Sequence, residues 1–239
     1  MNQEMNAPVA SSQAQPGLIA RMLNVFTNPQ RTFQALKVKP DWIIPALIVV
    51  VVMGLFGYVQ TTHQGLVETA NEMARQKLEA RNMTSEQIDQ AMAMSEKFRK
   101  FSPLTTAVIP LVLLVFLGSG VWLFVSNTLM GAKASYPQML AVTSYTLLIS
   151  ALGTLIKLPV MMANNNLFVH FSLATFMPDS ARETFIYKFL MSATDLFSIW
   201  AMAVLSIGIA VICQLKVNKV WPIVVLVNLI VFAISALMM

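Results

Sequence analysis

The sequence predicts an all-α fold: a polytopic helical membrane protein with five transmembrane helices, an N-terminal amphipathic segment and an extracytoplasmic helical hairpin. Three observations lead there. Hydrophobic residues make up 56% of the 239 and charged residues 11%, far more apolar material than a soluble globule of this length buries. Five runs stay apolar over about the 20 residues that a helix needs to cross ~30 Å of hydrocarbon. Those runs are continuous rather than alternating, which excludes a β-barrel, and lipid leaves no other way to satisfy a spanning backbone.

Residues 1–17, "MNQEMNAPVASSQAQPG", read as a disordered polar tail. They offer no basic stretch feeding a short apolar core and no small-residue cleavage site. A cleavable signal peptide is therefore not expected, and the first span serves as its own insertion signal. The membrane domain is expected over 18–239. From Leu18 the residues Leu18, Ile19, Met22, Leu23 and Phe26 form one stripe of a helix with Arg21 and Asn24 off it, a helix expected to lie along the membrane surface. Asn28 then offers a side-chain cap and Pro29 a pre-set first-turn dihedral, so a second short helix should run through Phe33 and Leu36 until Pro40 ends it. Arg31, Lys37 and Lys39 make this helix basic, and Trp42 sits where an interfacial aromatic belongs. Leu18, Met22, Leu23, Phe26, Arg31 and Phe33 are thus the candidate surface for docking on lipid or on a protein. The plainer role of the segment is to enforce topology.

The spans are expected at about 43–60, 104–129, 139–159, 191–215 and 221–239. Residues 61–103 read as an extracytoplasmic helical loop. Leu66, Ala70, Met73 and Leu78 fall at helical spacing, and "TSEQ" from Thr84 is a capping box in which Thr84 and Gln87 satisfy each other's amides. A second helix carries Ile88, Met92, Ser95 and Phe98 along one side, and the balanced acids and bases of the loop suit a solvated face. Gly54, Gly57, Gly118, Gly120, Gly153 and the pair Ser206 and Ala210 let lipid-embedded helices approach closely. Pro45, Pro103 and Pro110 mark helix starts or kinks.

Cations orient the chain. Arg21, Arg31, Lys37 and Lys39 precede the first span, and Lys133, Lys216 and Lys219 occupy short loops on the same side, so the N-terminus is expected in the cytoplasm and the C-terminus outside. Lys97, Arg99 and Lys100 fall on the other side, in a loop long enough to weaken the rule.

Catalytic constellations are missing from the sequence. The two histidines, His63 and His170, are expected outside the hydrocarbon, His170 as an interfacial residue, and there is no HExxH, no GxSxG, no glycine-rich phosphate loop and no pair of intramembrane aspartates. No enzyme, no cofactor and no nucleic-acid partner are expected. Cys213 is the single cysteine, which excludes an intrachain disulfide or a cysteine metal site.

Ionisable residues near hydrocarbon are the functional suspects. Lys157 closes the third apolar run, where its ammonium would snorkel to the interface. Asp195 stands in "FLMSATDLFSIWAMAVL", apolar on both sides. If the fourth span begins near Tyr187, Asp195 lies about two turns deep and either pairs with Lys157 or Lys188 or serves transport. If the span begins at Thr194, Asp195 is a helix cap.

The order "VFTNPQRTFQALKVKPDWIIP", then "YPQMLAVTSYTLL", then "DLFSIWAMAVLSIGIAVI" resembles the bacterial branch of the Yip-one domain family, five-span proteins named for Ypt-interacting relatives in eukaryotes. The resemblance covers roughly Leu18 to the C-terminus. It implies a cytosolic N-terminal region and a short C-terminus on the far side. The Asp-Leu-Tyr-Gly-Pro motif of eukaryotic members, which serve vesicle traffic and small-GTPase binding, is missing from the first two spans here. The expectation is a non-enzymatic scaffold or accessory subunit of a bacterial inner membrane that recruits or stabilises a partner complex, such as a transporter. The alternative is a small transporter or channel with Asp195 and Lys157 as its polar lining.

Overall fold

A computed structural model describes residues 16–101 and 108–238. Most of the polar tail, with Pro103 and the expected start of the second span at Leu104, lies outside the described residues. Helices and no strands occur among the described ones. Among the described residues five helices are long and apolar enough to cross a membrane: Ile43–Thr62, Leu111–Leu129, Tyr136–Asn164, Leu196–Cys213 and Val217–Met238.

The chain opens with α1 (Leu18–Thr27) and α2 (Pro29–Val38). Asn28 joins them as expected: its Oδ1 accepts from the Arg31 amide at 3.3 Å and Pro29 takes the first helical position. The pair is folded into the bundle rather than laid flat beside it. Val25, Phe33 and Leu36 have no exposed surface, with α2 packed on α9 (Leu196–Cys213) and both helices reaching α7 (Tyr136–Asn164). A hydrogen placed on Gly208 is what admits Phe33, because a Cβ there would stand 2.9 Å from Phe33 Cζ and 2.9 Å from Val142 Cγ1.

The expected stripe of α1 is divided by this docking. Met22 and Phe26 pack against the core, Phe26 edge-on to Trp200 at 5.9 Å, whereas Ile19 and Leu23 are 69% and 64% exposed. Arg21, expected off the stripe, faces inward and is buried. The reason is electrostatic, since its partner Asp41 lies on the bundle side.

After α3 (Ile43–Thr62) the chain leaves the apolar layer as the hairpin of α4 (Gln64–Glu79) and α5 (Ser85–Phe98). Thr84 and Gln87 form the expected capping box, with Gln87 N donating to Thr84 Oγ1 at 3.3 Å and Thr84 N to Gln87 Oε1 at 2.9 Å. Arg75 and Asp89 bridge the two helices at 3.0 Å. Thr69 Oγ1 donates to the Asn165 carbonyl, 2.9 Å away, and ties the hairpin to the end of α7.

α6 (Ile109–Phe124) continues through a π turn, Val125–Leu129, into a loop that Asn127 closes by accepting from Ala134 N and donating to Ala134 O. α7 follows, 29 residues long, extending past both ends of the expected 139–159 span. It is the axis of the bundle: α3, α6 and α9 pack along it, and every residue from Met139 to Thr146 is buried. Gly153 permits the closest approach, since a Cβ there would meet Phe197 Cγ at 2.6 Å.

The expected fourth span, 191–215, is two elements. α8 (Phe185–Ala193) ends at Thr194, and α9 starts afresh behind Asp195. α10 (Val217–Met238) packs on both.

Candidate functional site

The ionisable side chains nearest the apolar layer gather in two clusters, one toward each end of α7. At one end, Asp195 stands in extended backbone (φ −64°, ψ 132°) before the first turn of α9, where the leading amides have no helical partner. Its two oxygens divide the work. Oδ1 accepts from Phe197 N at 3.1 Å and Ser198 N at 3.4 Å; Oδ2 accepts from Lys157 Nζ at 2.7 Å and Phe171 N at 3.2 Å. Cap and ion pair, alternatives in the sequence, are satisfied at once because one carboxylate offers two oxygens. Four donors use the roughly four lone-pair sites that a carboxylate presents.

The Asp195 carboxylate is 7% exposed and the Lys157 side chain 20%. The Lys157 ammonium also lies 5.6 Å from the Phe197 ring centre and 6.0 Å from that of Phe171. Lys188 does not join them; it pairs with Glu183 at 2.9 Å. The segment before α8 is fastened to the same point, with Leu196 N donating to Phe171 O at 3.0 Å and Leu173 N to Thr194 Oγ1 at 2.9 Å.

His170 completes this end. Its Nε2 is 3.0 Å from Tyr187 Oη and its Nδ1 is 2.8 Å from Ser172 Oγ and 3.2 Å from Thr175 Oγ1. Burial holds the imidazole pKa below its ordinary value of 6.5, and the charges of Lys157 and Arg182 add to that while Asp195 opposes it. The fold therefore prefers neutral His170. Unfolded chain takes up the proton first as pH falls, so the stability contributed here is complete above about pH 6.5 and is lost on acidification below it. Thermal denaturation in detergent between pH 8 and pH 5 is expected to show this fall, and His170→Gln is expected to flatten it.

The second cluster was not legible as a site. Asp41 accepts from Arg21 Nη2, and the Tyr145 hydroxyl donates to its Oδ1 at 3.2 Å. Thr32 Oγ1 donates to the Arg21 carbonyl at 3.0 Å, and Gln138 Nε2 to the Lys37 carbonyl at 3.0 Å. These bonds hold α1 and α2 against the start of α7. One signal was present in the sequence: Asp41 is the single acid between Glu4 and Glu68, set directly behind Pro40.

Of the expected docking residues, Leu23 and Arg31 are exposed, Leu18, Met22 and Phe26 are half-buried, and Phe33 is wholly inside. Phe33 therefore serves the bundle and is not presented to a partner. No group of three or more His, Cys, Asp or Glu side chains placed to hold a metal ion occurs among the described residues.

A family model for the Yip1 domain matches residues 23–239, taking in α2, both acids and all five long helices. The chain belongs to the Yip1 domain family. This Yip1-domain chain is 26% identical over 192 residues to the membrane protein YknW of Bacillus subtilis (strain 168), a match that covers 79% of this chain and 76% of that protein. No solved structure matches it. Arg21 lies two residues before the Yip1 match begins, whereas its partner Asp41 falls within it.

Proposed function

We propose that this Yip1-family membrane protein is a non-enzymatic scaffold or accessory subunit of the bacterial cytoplasmic membrane, recruiting or stabilising a partner complex such as a transporter. The observation that carries the reading is the saturation of Asp195. A transport pathway lined by Asp195 and Lys157 needs these ionisable groups able to exchange partners with a proton or solute. The Asp195 carboxylate is held instead by one ammonium and three amides, and the contacts it makes fix helices and a loop in place. Affinity purification in mild detergent tests the reading: a stoichiometric membrane partner supports it, and solute flux by the purified protein alone in liposomes would establish the transporter instead.

The cation distribution supports a cytoplasmic N-terminus, with the α4–α5 hairpin outside. In a Cys213→Ser background, single cysteines at Glu79 and Ala181 are expected to react with a membrane-impermeant thiol reagent in intact cells, and one at Lys133 to stay unlabelled. The opposite pattern would invert the orientation.

A further inference from the structure

Where the N-terminal helices dock, a groove of about 680 Å³ runs between α2 and the turn that leads from α9 into α10. Gln30, Gln34 and Lys37 recur at i, i+4 and i+7, so α2 offers the groove one polar stripe. Gln214 lines it from the end of α9, and Ile207 and Val211 give it an apolar floor that continues into the span.

Among the described residues no side-chain hydrogen bond or ion pair engages Gln30, Gln34, Lys37 or Gln214, so their polar ends are left to solvent or a ligand. Gln214 holds a left-handed backbone (φ 57°, ψ 38°) at the end of α9, a position that glycine usually fills. A residue with a Cβ is strained there, and what the strain secures is a carboxamide on the groove. The charge on this face has one sign. Segments 16–42, 125–136 and 213–220 hold Arg31, Lys37, Lys39, Lys133, Lys216 and Lys219, and their one acid, Asp41, is taken by Arg21 and Tyr145. At the opposite end of the bundle Arg75, Arg99, Lys157 and Lys188 are each paired with an acid.

We propose that this groove binds one anionic phospholipid of the phosphatidylglycerol class. The Lys37 ammonium meets the phosphate, and the carboxamides of Gln30, Gln34 and Gln214 take the glycerol hydroxyls and the remaining phosphate oxygens. The acyl chains follow the apolar floor along α9, which is what favours a lipid over a soluble phosphate or an acidic peptide. A zwitterionic headgroup would bring its own cation against Lys37 and against Lys216, the neighbour of the lining residue Val217. The proposal stands apart from the scaffold reading, and a cytoplasmic N-terminus makes the lipid one of the inner leaflet.

Full-length protein, delipidated in neutral detergent and titrated with dioleoylphosphatidylglycerol in about 0.15 M ammonium acetate, tests it by native mass spectrometry; at that ionic strength exposed charges are screened beyond about 8 Å. One lipid per chain is expected, held at least tenfold more tightly than dioleoylphosphatidylcholine and not displaced by glycerol 3-phosphate. Lys37→Met and Gln214→Gly are each expected to weaken it at least fivefold. Gln214→Gly should also keep or raise the melting temperature, because glycine suits the left-handed position, which separates lost binding from lost folding. Lys133→Met, on the same face but outside the groove lining, should change the affinity less than twofold. An equal loss with Lys133→Met would show diffuse attraction to a basic face, and equal binding of phosphatidylcholine would show ordinary boundary lipid; either overturns the proposal. So would displacement by glycerol 3-phosphate, full affinity in the Lys37 and Gln214 variants, or a photoreactive residue at Gln34 that crosslinks in intact cells to an acidic protein segment.

Discussion

Phe33→Ala is expected to destabilise the protein by about 3–5 kcal/mol, the range for deleting a fully buried aromatic side chain that leaves a cavity. Phe33 has no exposed surface, and its ring tip occupies the gap at Gly208 of α9 beside Val142 of α7. The void would open where α2, α7 and α9 meet, so α1 and α2 should loosen together while the five spans still insert. Gly208→Leu approaches the same fault from the other side, as its added carbons would displace the ring. Leu23→Asp is the contrasting substitution. Leu23 is 64% exposed, so its replacement should leave the melting temperature in detergent near the wild-type value and alter only contacts with lipid or a partner. Phe26→Asp, by contrast, would set a carboxylate against Trp200 and lower it.

Asp195→Asn is expected to cost about 2–3 kcal/mol, below the roughly 3–5 kcal/mol of a fully buried pair because Lys157 retains some exposure. Asparagine caps about as well as aspartate, so the α9 amides keep an acceptor and the loss comes from stranding the Lys157 ammonium. The Phe171 and Phe197 rings soften that loss by facing the cation. Asp195→Ala should cost about 1 kcal/mol more, because the cap goes too. Lys157→Met should be the mildest of the three, since the carboxylate keeps its amide donors. Melting temperature in detergent is the readout for each.

The five spans were legible because each is a single apolar run, and the α1–α2 junction and the Thr84 cap were legible because their determinants are three or fewer residues apart. The break before α9 was harder to place. "FLMSATDLF" is apolar on both sides of Asp195, and what ends α8 at Thr194 is a set of bonds from Phe171, Leu173 and Lys157, which are distant in sequence. The inward turn of Arg21 depends in the same way on Asp41 and Tyr145.

The scaffold reading depends on the charged groups at the membrane boundary being closed structural clamps. The measurement that tests this most directly is a double-mutant cycle of Asp195→Asn with Lys157→Met, read as unfolding free energy in detergent, beside a control cycle with Lys188→Met. The account predicts a coupling of about 1–3 kcal/mol between Asp195 and Lys157 and additivity within about 0.5 kcal/mol for Lys188, which belongs to Glu183. Additive effects in the Lys157 cycle would contradict the account, because Asp195 and Lys157 would then be free of each other and open to a solute.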